Sequence, residues 1–128
     1  MSPPSNPIKT LLDRGVAFHR DGHLLDAEAS YRQAIAIGAG ALAHDLLGVI
    51  LTEGGRPDAA EREFRRALIH EPAFVSALGH RGNAFAARSH WSASVACYRR
   101  ALTVAGPDPL WLRNLGGALI GCGDAARS

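Results

Sequence analysis

Histidine and cysteine are the residue types here with the most chemistry to offer, yet their spacing assembles no catalytic or metal site. The six His are scattered; His19 and His23 are close in number, but Gly22 interrupts the helix between them. Cys97 and Cys122 form no C-x-x-C pair. Zinc requires clustered ligands, and covalent catalysis requires a nucleophile beside a base. The sequence therefore predicts no enzyme, no metal and no cofactor.

The arginines follow a pattern. Arg32, Arg65 and Arg99 recur at intervals of 33 and 34 residues, and Glu28 stands four positions before Arg32. Acid-first pairs at this spacing stabilise an exposed helix face. The formal net charge of +2 is too small to indicate nucleic acid. A solvated helix face is thus favoured over an anionic partner.

A repeated pair of helices must position all of these residues. Within 41–74, one apolar helical run stops at a turn containing Gly54, Gly55 and Pro57, and a second run ends before Pro72. Gly gives the turn its backbone freedom, and Pro is tolerated in the first turn of a helix. A single hairpin of this size cannot bury its apolar faces, so it requires stacked neighbours.

Glycines at a constant position show that the hairpin is repeated. They are Gly15, Gly48, Gly82 and Gly116, separated by 33, 34 and 34 residues. Each lies mid-helix, where Gly costs about 1 kcal/mol relative to Ala. Close approach of the partner helix is a common cause. We expect small residues opposite the glycines and aromatic rings between the hairpins: Ala27, Ala60 and Ser94, with Phe18, Tyr31, Phe64, Phe85 and Tyr98.

These residues resemble the tetratricopeptide repeat (TPR) family, whose 34-residue unit has the pattern W-x2-L-G-x2-Y, A-x3-F and a closing Pro. The second unit carries His44-x2-Leu47-Gly48-x2-Leu51, Ala60-x3-Phe64 and Pro72, and the fourth carries Leu112-x2-Leu115-Gly116-x2-Leu119. Arg14 and Arg81 depart from the pattern where an apolar residue is usual. The resemblance implies an all-α, right-handed superhelical solenoid of antiparallel helix-turn-helix repeats, with first helices on the concave face.

The expected organisation is a disordered leader at 1–7 and a TPR domain at 8–128. The repeats fall at about 8–40, 41–74, 75–108 and, for a partial fourth, 109–128. In the third turn Ser89 replaces glycine and is expected to cap the following helix, and Asp124 is expected to cap a new helix in the fourth unit. No targeting segment or membrane span is recognisable, which predicts a cytoplasmic protein.

The resemblance also implies a peptide-binding groove on the concave face. The groove residues selected from the repeat register are His19, Asp45, Val49, His80, Asn83, Arg113 and Asn114. Asn83 and Asn114 match the two asparagines of the carboxylate clamp with which some family members hold the C-terminus of heat-shock chaperones. Gly79 stands where that clamp has a Lys. Generic binding of a peptide through paired amide donors and acceptors is therefore expected over a full clamp.

The last helix carries an apolar face with no second helix to cover it, made of Trp111, Leu112, Leu115 and Leu119. An uncovered face of this kind implies a partner. Three partners could cover this face: the rest of a longer protein, a second copy of the chain in a homo-oligomer, or another protein.

Taken together, the sequence predicts a protein-protein interaction scaffold that binds a peptide or protein segment, with no nucleic acid or membrane partner. The alternative is an N-terminal TPR accessory domain of a larger bacterial enzyme, because glycosyl-, sulfo- and methyltransferases of this layout carry such repeats ahead of a catalytic domain.

Overall fold

The computed structural model describes residues 6–127, and this range forms seven α-helices and no strand. The helices are α1 Pro7–Arg20, α2 Leu24–Ala36, α3 Ala41–Glu53, α4 Pro57–His70, α5 Val75–Ala87, α6 Trp91–Ala105 and α7 Pro109–Arg127. The all-α prediction is confirmed.

The helices form three antiparallel hairpins, α1 with α2, α3 with α4 and α5 with α6, followed by α7. Each second helix packs on the first helix of the next hairpin, which stacks the hairpins into a right-handed solenoid. The first helices also contact one another, α3 with α5 and α5 with α7. They therefore lie on the inner, concave side, and the first-helix residues are the ones that line a groove.

The repeated glycines accept aromatic rings. A Cβ added to Gly48 would lie 2.4 Å from Cε1 of Phe64, and one added to Gly15 would lie 2.3 Å from Cε1 of Tyr31. Gly82 would meet Tyr98 in the same way, at 2.6 Å. We call each of these contacts a glycine socket. The predicted close approach of the partner helix is confirmed. The expectation that a small residue is the nearest group opposite each glycine and that these rings lie between hairpins is wrong, because the nearest group is the aromatic ring of the second helix in the same hairpin.

The turn between the two helices of each hairpin requires one residue with a positive φ, in the left-handed backbone region. Gly22 and Gly55 have φ values of 80° and 79°, and Ser89 takes the equivalent position with φ 58°. The expectation that Ser89 caps α6 is wrong, because the N-cap is His90 and no side chain bonds there. Ser89 closes the turn through its backbone, in a conformation that disfavours residues with a Cβ.

Both ends of the array differ from expectation. Of the predicted leader, residues 1–5 lie outside the described residues, whereas the Asn6 side chain caps α1 by accepting from the Lys9 N–H at 3.2 Å, and the helix begins at Pro7. Asp124 lies inside α7 and does not start a new helix. Helix α7 continues to Arg127, and within it Gly121 packs under Trp91, where an added Cβ would lie 2.3 Å from the indole.

The prediction that Trp111 lies on the exposed end is wrong. Its side chain is 6% exposed because the indole fills the space above Gly79, where an added Cβ would lie 2.4 Å from the ring. Leu115 is half-buried. Leu112 and Leu119 remain exposed, at 49% and 44%.

The glycine sockets predict that a glycine-to-alanine substitution has opposite effects on stability at two positions. Gly48→Ala forces a methyl group into the buried Phe64 ring, and such overpacking costs roughly 1–3 kcal/mol, which outweighs the gain of about 1 kcal/mol in helix propensity. Gly116→Ala meets nothing within 4 Å, so only the helix-propensity gain applies. Urea denaturation should show Gly48→Ala less stable than wild type and Gly116→Ala more stable. Equal effects of the two substitutions would contradict the socket.

Candidate binding groove

Asp45 was expected to face a ligand, but it is a buried anchor for its neighbours. Its side chain is 2% exposed. Oδ2 accepts a hydrogen bond from Ser76 Oγ at 2.8 Å, and Oδ1 lies 3.0 Å from His80 Nδ1. The carboxylate of α3 thus fixes two side chains of α5. Asp45 therefore positions Ser76 and His80, which are both half-buried and reach the groove surface.

Asn83 and Asn114 are joined across the groove. Asn114 Nδ2 donates to Asn83 Oδ1 at 3.2 Å, and the hydroxyl of Tyr98 donates to the same oxygen. Both amides are half-buried. Within residues 6–127, Asn83 Nδ2 and Asn114 Oδ1 have no hydrogen-bond partner. The pair therefore offers one donor group and one acceptor on adjacent helices, fixed by a third side chain.

Trp111 explains why this groove lacks the lysine that the clamp would require. The indole occupies the space above Gly79, so a side chain at that position would collide with it. The same ring meets His80 edge-on at 5.7 Å between centroids and stacks on Tyr98 at 6.2 Å. A buried indole therefore takes the space of the cation. Arg113, which directly precedes Asn114 and is exposed, is the predicted groove cation on α7.

A hydrogen bond crosses the amino-terminal part of the groove. His19 Nε2 lies 2.6 Å from Glu53 Oε2, joining α1 to α3. Beneath this part, the Tyr31 hydroxyl is buried and has no hydrogen-bond partner within the described residues. Burial raises the pKa of Tyr31, and the negative charge of Glu53 raises it further.

A cavity of about 250 Å³ lies between α3 and α5. Its lining residues are Val49, Thr52, Glu53, Phe64, His80 and Asn83. It brings together three of the residues selected from the sequence, Val49, His80 and Asn83, whereas His19 and Arg113 lie outside it. Sequence reasoning assigned Tyr98 only to packing and so missed its hydrogen bond to Asn83. The sequence feature that could have revealed this bond is that the third hairpin has a tyrosine, Tyr98, at the socket position where the second hairpin has Phe64.

The opposite, convex face carries several ion pairs. Arg32 lies 3.1 Å from Glu28 and Arg65 lies 3.7 Å from Glu61, as the acid-first spacing indicates. Burial would raise the pKa of Glu28, but Arg56 and Arg32 outweigh it and hold the pKa below its ordinary value. These pairs are typical of a helix face that contacts mainly solvent.

Within residues 6–127, no group of three His, Cys, Asp or Glu side chains is placed to hold a metal ion. None of the helices there combines the length and hydropathy needed to cross a membrane.

Known structures share this architecture. No protein-family model matches the chain, and no curated protein is similar to it in sequence. The first TPR domain of human RPAP3 superposes with a TM-score of 0.92 at 15% identity, covering 96% of this chain and 99% of that one. The Sgt2 TPR domain from Aspergillus fumigatus gives 0.91 at 18% identity, covering 98% of this chain and 85% of its own.

A third structure contains a ligand. The second TPR domain of human RPAP3, solved in complex with the HSP70 peptide SGPTIEEVD, gives a TM-score of 0.83 at 19% identity and covers 88% of this chain and 94% of that one. The fold of the present chain is thus that of the tetratricopeptide repeat domains, which confirms the resemblance seen in the sequence.

Two tyrosines in equivalent sockets provide a test of the groove geometry. Tyr98→Phe removes the hydrogen bond to Asn83, which should lower the free energy of unfolding by about 1 kcal/mol. Tyr31→Phe removes a buried hydroxyl with no partner, so stability should be unchanged or higher. Thermal or urea unfolding of both variants makes the comparison. A larger loss for Tyr31→Phe than for Tyr98→Phe would contradict the hydrogen-bond assignment.

Proposed function

We propose that the chain is a protein-protein interaction scaffold that binds an extended peptide or protein segment in its concave groove. The observation that carries the proposal is the Asn83 and Asn114 pair beside the cavity of about 250 Å³. One amide offers a donor group and the other an acceptor, and both are half-buried. Tyr98 holds Asn83, and Asn83 in turn holds Asn114.

A peptide backbone presents the complementary groups. Each residue carries a carbonyl acceptor and, except for proline, an N–H donor. Asn83 Nδ2 suits a carbonyl and Asn114 Oδ1 suits an N–H, so one extended strand can engage both. Val49 and the His80 ring, which line the cavity, offer an apolar surface to a side chain of the ligand. The amides orient the ligand, and these two side chains add contact area.

The RPAP3 complex supports a peptide partner, since a domain of this fold was solved with an HSP70 peptide. Full clamp chemistry is disfavoured by the packing of Trp111 on Gly79, which excludes a lysine there. The proposal is therefore recognition of the peptide backbone, independent of a terminal carboxylate.

The absence of enzymatic activity, the cytoplasmic location and the absence of nucleic acid and membrane partners stay predictions. The alternative of an accessory domain in a bacterial enzyme finds no support in the compared structures and also stays a prediction.

The amide pair is tested by double substitution. Ligands are first selected from a displayed peptide library, with SGPTIEEVD included as a defined probe. For the selected ligands, Asn83→Ala plus Asn114→Ala should weaken binding at least tenfold, because two hydrogen bonds of about 1 kcal/mol each are lost. Fluorescence anisotropy measures the affinity. Gln33→Ala, an exposed change on α2, is the control and should leave affinity unchanged.

Unchanged affinity of the double variant for every selected ligand would overturn the proposal. A second comparison addresses the carboxylate. Each ligand is measured with a free and with an amidated C-terminus, and the two forms should agree within about threefold. A tenfold loss on amidation would show that the terminal carboxylate is recognised after all.

A further inference from the structure

The α3 wall of the groove cavity offers hydrogen-bond acceptors. Glu53 lines the cavity, and its side chain is 49% exposed. Oε2 is engaged by His19, whereas Oε1 has no hydrogen-bond partner within residues 6–127. The hydroxyl of Thr52, which also lines the cavity, donates its proton to the Gly48 carbonyl at 3.0 Å and keeps only lone pairs. A ligand group that binds at this wall must therefore be a donor.

His80, on the α5 wall, adds a further acceptor. Its Nδ1 lies 3.0 Å from Asp45 Oδ1, and a carboxylate only accepts, so the proton of the neutral ring is on Nδ1. Nε2 then carries a lone pair, and it has no partner among the described residues. A second proton on the ring would be balanced by the Asp45 charge. Asn83 Nδ2 is the free side-chain donor of the cavity, and it is assigned to the peptide backbone.

The formal charges at the cavity are negative when histidine is counted as neutral. Glu53 is the charged residue among those that line it, and none of the described lysine and arginine residues does so. Asp45 lies buried behind His80 and adds a second carboxylate. The formal net charge of the whole chain is +2, so the sign at the cavity is opposite to that of the molecule. A preference for cations would therefore be a property of this site.

We propose that the cavity takes the ammonium group of a lysine side chain in the bound peptide, and that Glu53 determines this specificity. The inference rests on the proposed function, since the asparagine pair holds the backbone of the same ligand. An ammonium group has three donors and no acceptor, which suits a cavity bordered by Glu53 Oε1, the Thr52 hydroxyl and His80 Nε2. The aliphatic part of the lysine packs on Val49 and Phe64, which line the same cavity.

Lysine fits this site better than arginine. A guanidinium group gains most from two parallel hydrogen bonds to both oxygens of one carboxylate. Oε2 of Glu53 already lies 2.6 Å from His19 Nε2, so only the other oxygen remains for a ligand. A compact ammonium group can use a single oxygen, and the site therefore distinguishes the two cations.

The peptide in the RPAP3 complex has the opposite charge. SGPTIEEVD contains three acidic residues and no lysine or arginine. In the present chain, an acidic side chain in the cavity would face the carboxylate of Glu53, and like charges at short range repel. The groove therefore combines the same fold with a preference for a ligand of the other sign.

A positional-scanning library tests the preference. The peptides have nine residues, the length of the RPAP3 ligand, and are acetylated and amidated so that a bound ammonium group comes from a side chain. One position at a time is fixed as Lys, Arg, norleucine or Glu, and the remaining positions are mixed. At one position, retention on the immobilised protein should favour Lys over Glu roughly tenfold and over Arg and norleucine about threefold.

A matched pair of protein variants assigns the preference to Glu53. The best lysine peptide and its acetyl-lysine form are measured by fluorescence anisotropy. Wild type should prefer lysine roughly tenfold, and Glu53→Gln should reduce that ratio to within about twofold, because the charge is lost while the shape is kept. Glu71→Gln is the control, since it removes an equal charge from an exposed residue outside the cavity, and it should keep the ratio.

The possible failures are distinguishable. If peptide pools bind and Asn83→Ala plus Asn114→Ala weakens them, but no position selects lysine, this inference is overturned and the proposed function stands. Equal retention of lysine and arginine, an unchanged lysine ratio in Glu53→Gln, or an equal loss in Glu71→Gln would also overturn it. If no pool binds at millimolar concentration, the proposed function and this inference both fail.

Discussion

The contact between a mid-helix glycine and an aromatic ring sets the spacing of every hairpin. Gly15, Gly48 and Gly82 each leave room for one ring, which lies on bare backbone and is almost fully buried. Glycine costs about 1 kcal/mol in a helix, while burial of a large apolar side chain contributes about 1.5–3 kcal/mol. The gain from burying the ring exceeds the cost of glycine only if glycine and ring keep their positions relative to each other. The glycines therefore recur with the rings at a period of 33 or 34 residues.

The same type of contact shapes the candidate groove. Tyr98 fills the socket at Gly82, and its hydroxyl donates a hydrogen bond to Asn83. The same side chain therefore packs the third hairpin and positions a groove residue. Trp111 fills the space above Gly79 and thereby replaces a cation with a ring. The groove differs from a carboxylate clamp because of packing, and its remaining chemistry suits amide groups of a backbone.

The repeat, its helices and the close helix approach at the glycines could be predicted because they depend on periodicity along the chain. The side-chain pairs that define the groove could not. Asp45 looked like a groove ligand, but its burial depends on Ser76 and His80 in the next hairpin. Trp111 looked exposed because nothing in its own helix reveals the space above Gly79. Such pairs depend on the register between hairpins, which no local pattern reports.

The most direct measurement of the central claim is the set of nuclear Overhauser contacts from glycine Hα protons in the free protein. The account predicts contacts from Gly15, Gly48 and Gly82 to the ring protons of Tyr31, Phe64 and Tyr98, and none from Gly116 to any ring. Absence of the first three contacts would contradict the glycine socket as the basis of the fold. A ring contact at Gly116 would show that the face of α7 is already filled.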